Sequence, residues 1–166
     1  MSKAQEAERI AGTFEKMNVW HRRNERAPHK PLLLLLALAR VLRGNPRLEE
    51  FRSYEDVMRN LLIKYGPERK SVHPEYPFWR LQADGLWEVL PTDGLRIRKS
   101  TKDPLKSELL EKRVKGGFKE EVWLVLKDDP KLLKEIAGLL VRKHFPETVA
   151  SSVFLDVGLP LNMAAM

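Results

Sequence analysis

The chain has 166 residues, 43% of them hydrophobic, enough for one domain with a real core. It holds no cysteine, which excludes a disulfide framework and a thiolate metal site. Lysine and arginine total 30 against 23 acidic residues, a net charge of +7 that suits a polyanion partner as well as a merely solvated basic surface.

A first amphipathic helix is predicted over 4–17, where Ala7, Ile10, Ala11, Phe14 and Met17 recur at helical spacing. An arginine-rich loop follows, with Arg22, Arg23, Arg26 and Lys30 against Glu25. A second helix is expected to start at Pro31, since proline costs nothing at the first helical position, and to stop at Gly44 and Pro46. It is apolar nearly all round, which marks a central buried helix. Its apolar run, Leu32–Ala39, is far shorter than the roughly 20 residues a bilayer span needs. The opening residues lack the apolar stretch of a secretion signal, so a soluble cytoplasmic protein is expected, with no membrane partner.

Ser53, with Asp56 three residues on, suggests a capped third helix carrying Tyr54, Val57, Met58, Leu61, Leu62 and Tyr65 inward and ending at Gly66-Pro67. The next segment reads as a hairpin: Phe78–Gln82, a turn at 83–85, then Leu86–Leu90, with 95–97 as a third short strand. Asp103-Pro104 and Asp129-Pro130 both look like helix starts. The second opens a strong helix with Leu132, Leu133, Ile136, Ala137, Leu140 and Val141 buried, closed by Pro146. A last helix is expected over 147–154. The fold class is therefore mainly α with a small antiparallel β-hairpin or wing (α+β), a single compact domain over 1–166.

Positive charge is localised. Residues 94–119 hold nine Lys/Arg against three acids, whereas 120–166 hold five against seven. Two motifs stand near this charge. In Arg26-Ala-Pro-His-Lys-Pro31, His29 and Lys30 sit at the mouth of the apolar helix, where unpaired N–H groups and the helix dipole favour an anion. The same pair also suits a capping histidine and a solvated lysine. In His73-Pro-Glu-Tyr-Pro-Phe-Trp-Arg80, two prolines and three aromatics form a stiff ledge flanked by Arg69, Lys70 and Arg80. Such a ledge suits a nucleic-acid groove or a packed strand start. Trp87 reads as core.

"RAPHKPLLLL", "HPEYPFWRLQ", "DGLWEV" and "HFPE" together resemble the sulfur-binding domain of type IV, phosphorothioate-dependent (McrA-like) restriction endonucleases, from about Phe14 to Gly158. The resemblance implies a reader of double-stranded DNA in which a backbone oxygen is replaced by sulfur. It implies that Tyr76 and Pro77 wall an apolar sulfur pocket and that His29 and Lys30 contact the modified backbone. Candidate phosphate or base contacts are Arg23, Arg26, Arg69, Ser71, His73 and Arg80. Members of this kind carry a separate HNH nuclease, so a fused or partner nuclease domain is an implied partner. This sequence shows no such motif. Its four histidines are scattered, away from metal-ligand spacing, and a His73–Glu75 acid–base pair lacks a further partner. No catalytic residue, metal or cofactor is expected. A general double-stranded nucleic-acid binder and a protein-interaction domain remain the alternative readings.

Overall fold

The computed structural model describes residues 2–17, 19, 21, 22, 25–68 and 71–160, giving the backbone alone for 21, 22, 25 and 26. Helix α1 (Lys3–Glu15) begins with a reciprocal Ser2–Gln5 capping box and buries Ile10 and Phe14. Two short antiparallel strands follow, β1 (His21–Arg22) and β2 (Glu25–Arg26). They lead into α2 (His29–Leu42), in which every residue from Pro31 to Arg40 is buried. Helix α2 packs against α3 (Phe51–Tyr65), α4 (Glu75–Arg80), α6 (Glu120–Asp128), α7 (Pro130–His144) and α8 (Ala150–Val157), so the all-round apolar pattern does mark the central helix. It starts two residues before the expected Pro31. Pro28 takes the cap position, and Pro31 falls in the first turn, where a missing N–H still breaks no bond.

A three-stranded antiparallel sheet lies beside the bundle in the order β3 (Glu49–Glu50), β5 (Lys115–Phe118), β4 (Trp87–Leu90). Trp87 pairs with Phe118 and Val89 with Gly116. The centre strand needs its glycines. A Cβ on Gly116 would stand 2.5 Å from Phe78 Cζ, and one on Gly117 would overlap the Arg47 carbonyl oxygen. That close approach lets aromatic side chains gather against the strand: Phe78, Trp87, Phe118, Phe51 and Tyr54 meet edge-on or tilted at centroid distances of 5.0–6.0 Å.

Several local expectations fail here. The 78–82 segment is no strand. Glu75–Arg80 is helix α4 and Leu81–Asp84 a 3₁₀ turn ended by Gly85 at φ 77°. Pro74 and Pro77 both suit a helix's first turn, and Phe78 and Leu81, three apart, share its buried side. Strand β4 therefore pairs with β5, not with a hairpin partner. Within 95–97, Ile97 makes only an isolated bridge to Pro104, and the third strand is β3 instead. Helix α3 starts at Phe51, and Ser53 lies inside it, accepting from Arg40 and donating to the Glu50 carbonyl. Asp103 caps nothing: α5 (Lys106–Glu111) starts after Leu105, and the Asp103 side chain is claimed elsewhere. Asp129 does cap α7, accepting from Leu132 N at 3.0 Å, with the six expected residues buried behind it. The final helix is a 3₁₀ turn, Glu147–Val149, running into α8.

Candidate nucleic-acid interface

The two motifs are far apart in the chain, yet the fold joins them through Lys30 and Asp84, 54 residues apart. Lys30, in the first turn of α2, donates to Asp84 Oδ2 at 2.7 Å, and Asp84 ends the 3₁₀ turn that continues α4. Together with the packing of α4 on α2, this bond sets the aromatic ledge beside the mouth of the central helix. Pro28, at the cap position, supplies no side-chain cap there, and the helix is entered through prolines.

Helix α4 holds its residues by burying Phe78 against Phe51, with ring centroids 5.0 Å apart. Pro77 is buried as well, whereas Tyr76 is half-buried and faces three polar groups. The His73 ring stacks on it with centroids 4.4 Å apart and planes 11° from parallel. The Arg80 guanidinium lies 4.4 Å over the ring and that of Arg98 5.6 Å. Tyr76 is thus the hub of an aromatic and cationic platform.

Buried carboxylates hold the platform in place. Glu75 Oε2 accepts from Arg98 Nη1 at 3.0 Å and from His73 Nδ1 at 3.1 Å. An ionised carboxylate only accepts, so Nδ1 carries the proton, and in neutral His73 Nε2 accepts from the Ser71 hydroxyl at 2.9 Å. Glu75 Oε1 has no hydrogen-bond partner among the described residues. Asp103 grips Arg80 at both ends, Nε to Oδ1 at 2.9 Å and Nη2 to Oδ2 at 2.7 Å. This bidentate bond raises the Arg80 pKa, against the opposing effect of partial burial. A tight loop joins the two anchors: Arg98 N donates to the Asp103 carbonyl at 2.7 Å, and Lys102 turns the chain at φ 67°.

Of the residues singled out from sequence, the structure brings Ser71, His73, Tyr76 and Arg80 together, with Lys30 joined to their helix through Asp84. Pro77 is buried in α4, and His29 is half-buried at the start of α2. Arg26 is described by its backbone alone in β2, and Arg23 and Arg69 lie outside the described residues. Sequence reading missed Asp84, Asp103 and Arg98 as parts of this site and weighed Glu75 only as an acid–base partner of His73. The partners of Asp84, Asp103 and Arg98 come from distant turns, and the Asp-Pro at 103–104 pointed to a helix cap. Among the described residues, no group of three or more His, Asp or Glu could hold a metal ion, and no helix is long and apolar enough to cross a membrane.

The family model of the ScoMcrA-like DNA sulfur-binding domain matches residues 7–162. The chain belongs to that family. Among solved structures it is similar to the sulfur-binding domain of ScoMcrA complexed with phosphorothioated DNA, at TM-score 0.83 and 25% identity over 93% of this chain and 97% of that one. The structure of ScoMcrA as a type IV phosphorothioation-dependent restriction endonuclease matches at TM-score 0.77 and 26% identity, over 90% of this chain and 27% of that chain. The sulfur-binding domain of SprMcrA, also complexed with phosphorothioated DNA, shares the fold at TM-score 0.78 and 20% identity, covering 98% and 99% of the two chains. No curated protein matches the sequence. The mainly helical architecture with its small antiparallel sheet is therefore the architecture of sulfur-binding domains.

Proposed function

We propose that this sulfur-binding domain binds double-stranded DNA bearing a backbone phosphorothioate and acts as the targeting module of a modification-dependent restriction system in the cytoplasm. The cutting falls to a fused or partner nuclease, with this chain as the non-catalytic reader. The single observation that carries the proposal is the 25% identity, over 93% of the chain, to a domain solved on phosphorothioated DNA. The platform gives the reading its chemistry. Sulfur is larger and softer than oxygen and a poorer hydrogen-bond acceptor. A wall made by the Tyr76 ring and Pro77 desolvates sulfur at little cost. It would strip water from an oxygen and return no hydrogen bond, which is expensive. Discrimination of this kind is worth roughly 1–3 kcal/mol, the scale of small apolar differences in a pocket. His29, Lys30 and Arg80 grip the charged oxygens beside the sulfur. Arg23, Arg26, Arg69, Ser71 and His73 are the candidates for flanking phosphates and base edges, phosphates supplying salt-dependent affinity and bases any sequence preference.

The test is a paired titration of one short duplex with and without a single backbone sulfur, at fixed salt. Tighter binding of the sulfur duplex is expected. Equal affinities refute the proposal and leave a general DNA binder. Absence of binding to either duplex even at low salt, where phosphate contacts are strongest, points instead to a protein-docking surface.

A further inference from the structure

The cations described at this interface are not bare charges. Lys30 pairs with Asp84, Arg80 with Asp103 and Arg98 with Glu75, at 2.7, 2.7 and 3.0 Å. The three carboxylates are 6%, 2% and 2% exposed, while the cations keep 16%, 46% and 25%. Each positive group thus keeps more exposure than the acid it is paired with. In the basic stretch 94–119, Arg96, Lys106 and Lys112 pair with acids as well, whereas among the described residues Lys99, Lys102, Arg113, Lys115 and Lys119 make no ion pair.

Acid backing has two separable effects. A cation already balanced by a carboxylate neutralises a DNA phosphate only in part, and this weakens modified and unmodified DNA alike. Uniform weakening leaves the preference between them untouched. Pinning is what moves the preference. Ordinary DNA is gripped best by long, mobile side chains that follow any phosphate. Asp103 engages Arg80 at Nε and Nη2, fixing its plane on the Tyr76 ring and leaving Nη1 without a hydrogen bond among the described residues. Arg80 in that pose serves a phosphate seated on the Tyr76 wall and few others. Asp84 restrains Lys30 in the same way at the helix mouth.

Resting on the phosphorothioate reading, we infer that Asp103 and Asp84 are specificity-determining positioning residues: they hold Arg80 and Lys30 in one pose and thereby suppress the grip on unmodified DNA. The isosteric substitutions Asp103→Asn and Asp84→Asn remove the charge while keeping an acceptor. Each is measured on the sulfur duplex and the plain duplex across a salt series, beside the wild type and Asp156→Asn. Asp156 lies on α8, bonded to Lys64 and Tyr65, and losing its charge changes net charge equally. The expected result is a plain-duplex salt slope steeper by about 0.9 for each newly engaged phosphate, with a reduced sulfur-to-plain affinity ratio. Asp156→Asn should show neither change. An unchanged slope and ratio, a parallel fall on both duplexes, or the same steepening in Asp156→Asn overturns the inference. Asp84→Asn carries the test if Asp103→Asn does not fold. A wild type without sulfur preference would instead sink the proposed function, and the plain-duplex slopes would still report on the carboxylates.

Discussion

Truncating the hub of the platform gives the sharpest test of the sulfur wall. Tyr76→Ala removes the ring on which His73 stacks at 4.4 Å and over which Arg80 lies at 4.4 Å. A stacked aromatic pair contributes roughly 0.5–1.5 kcal/mol beyond burial. A cation–π contact with a half-exposed arginine contributes about 0.5–1 kcal/mol. The fold should therefore lose about 1–2.5 kcal/mol against a typical stability of roughly 5–15 kcal/mol, and the variant remains folded. The effect on reading is larger in proportion. Without the ring, water reaches the sulfur side, and most of the roughly 1–3 kcal/mol of discrimination disappears, a drop in the sulfur-to-plain affinity ratio of about tenfold. Affinity for the plain duplex, which rests on cations, should fall much less. Anisotropy titration of both duplexes at one salt concentration reads the ratio directly, and far-UV circular dichroism confirms the fold. Tyr76→Phe keeps the ring and should keep most of the preference. A folded Tyr76→Ala with the wild-type ratio refutes the wall.

Other perturbations probe separate parts of the account. Lys30→Ala should weaken both duplexes, the sulfur duplex at least as much as the plain one, and flatten the salt slope; calorimetric titration that finds neither duplex weakened would contradict its assignment to the charged oxygens. Tyr54 is pushed up to about 12, chiefly by burial, with the nearby Arg40 pulling it down. Its folded pKa exceeds its unfolded value near 10, so its contribution is complete below pH 10 and is lost as pH rises toward 12. Denaturation followed across that window should show a fall on the order of 2–3 kcal/mol, absent in Tyr54→Phe. Gly117→Ala drives a methyl into the Arg47 carbonyl and should cost at least about 1–3 kcal/mol in urea denaturation, whereas Gly12→Ala, with open space around it, should not.

What the sequence made legible was local and periodic. The α2 apolar run, the Asp129 cap and the buried stripe of α7 each depend on residues within a few turns, and each stands in the structure. The failures have one physical cause. The hairpin expected at 78–90 rests on the turn at 83–85, but Phe78 is held inward by Phe51 and by Gly116 of β5, partners far away in the chain. Strand β5 itself, Lys115-Gly-Gly-Phe118, has little strand propensity, and its glycines make sense only once Phe78 and Arg47 are seen against it. The site divides the same way. Tyr76 and Lys30 stood out because unusual residues cluster around them. The acids behind their neighbours are ordinary residues in turns, and only the fold brings Asp84 to Lys30 and Asp103 to Arg80.

Rigidity connects the core to the chemistry. An oxygen and a sulfur differ in radius by only a few tenths of an ångström, so a wall that yields by that much accepts either. Tyr76 is two residues from Phe78, whose ring is locked among Phe51, Tyr54 and Trp87. Lys30 opens a helix packed on five others. Positions fixed by a core at native density move little, since even one methylene of change is felt there. Loops could supply the same side chains with the same charge, but binding would then have to order them, and the ordering cost would fall on both kinds of DNA. On the proposed reading, placing the aromatic wall on a helix keyed into the core, with Lys30, Arg80 and Arg98 tied to buried acids, would let one soft atom decide the outcome.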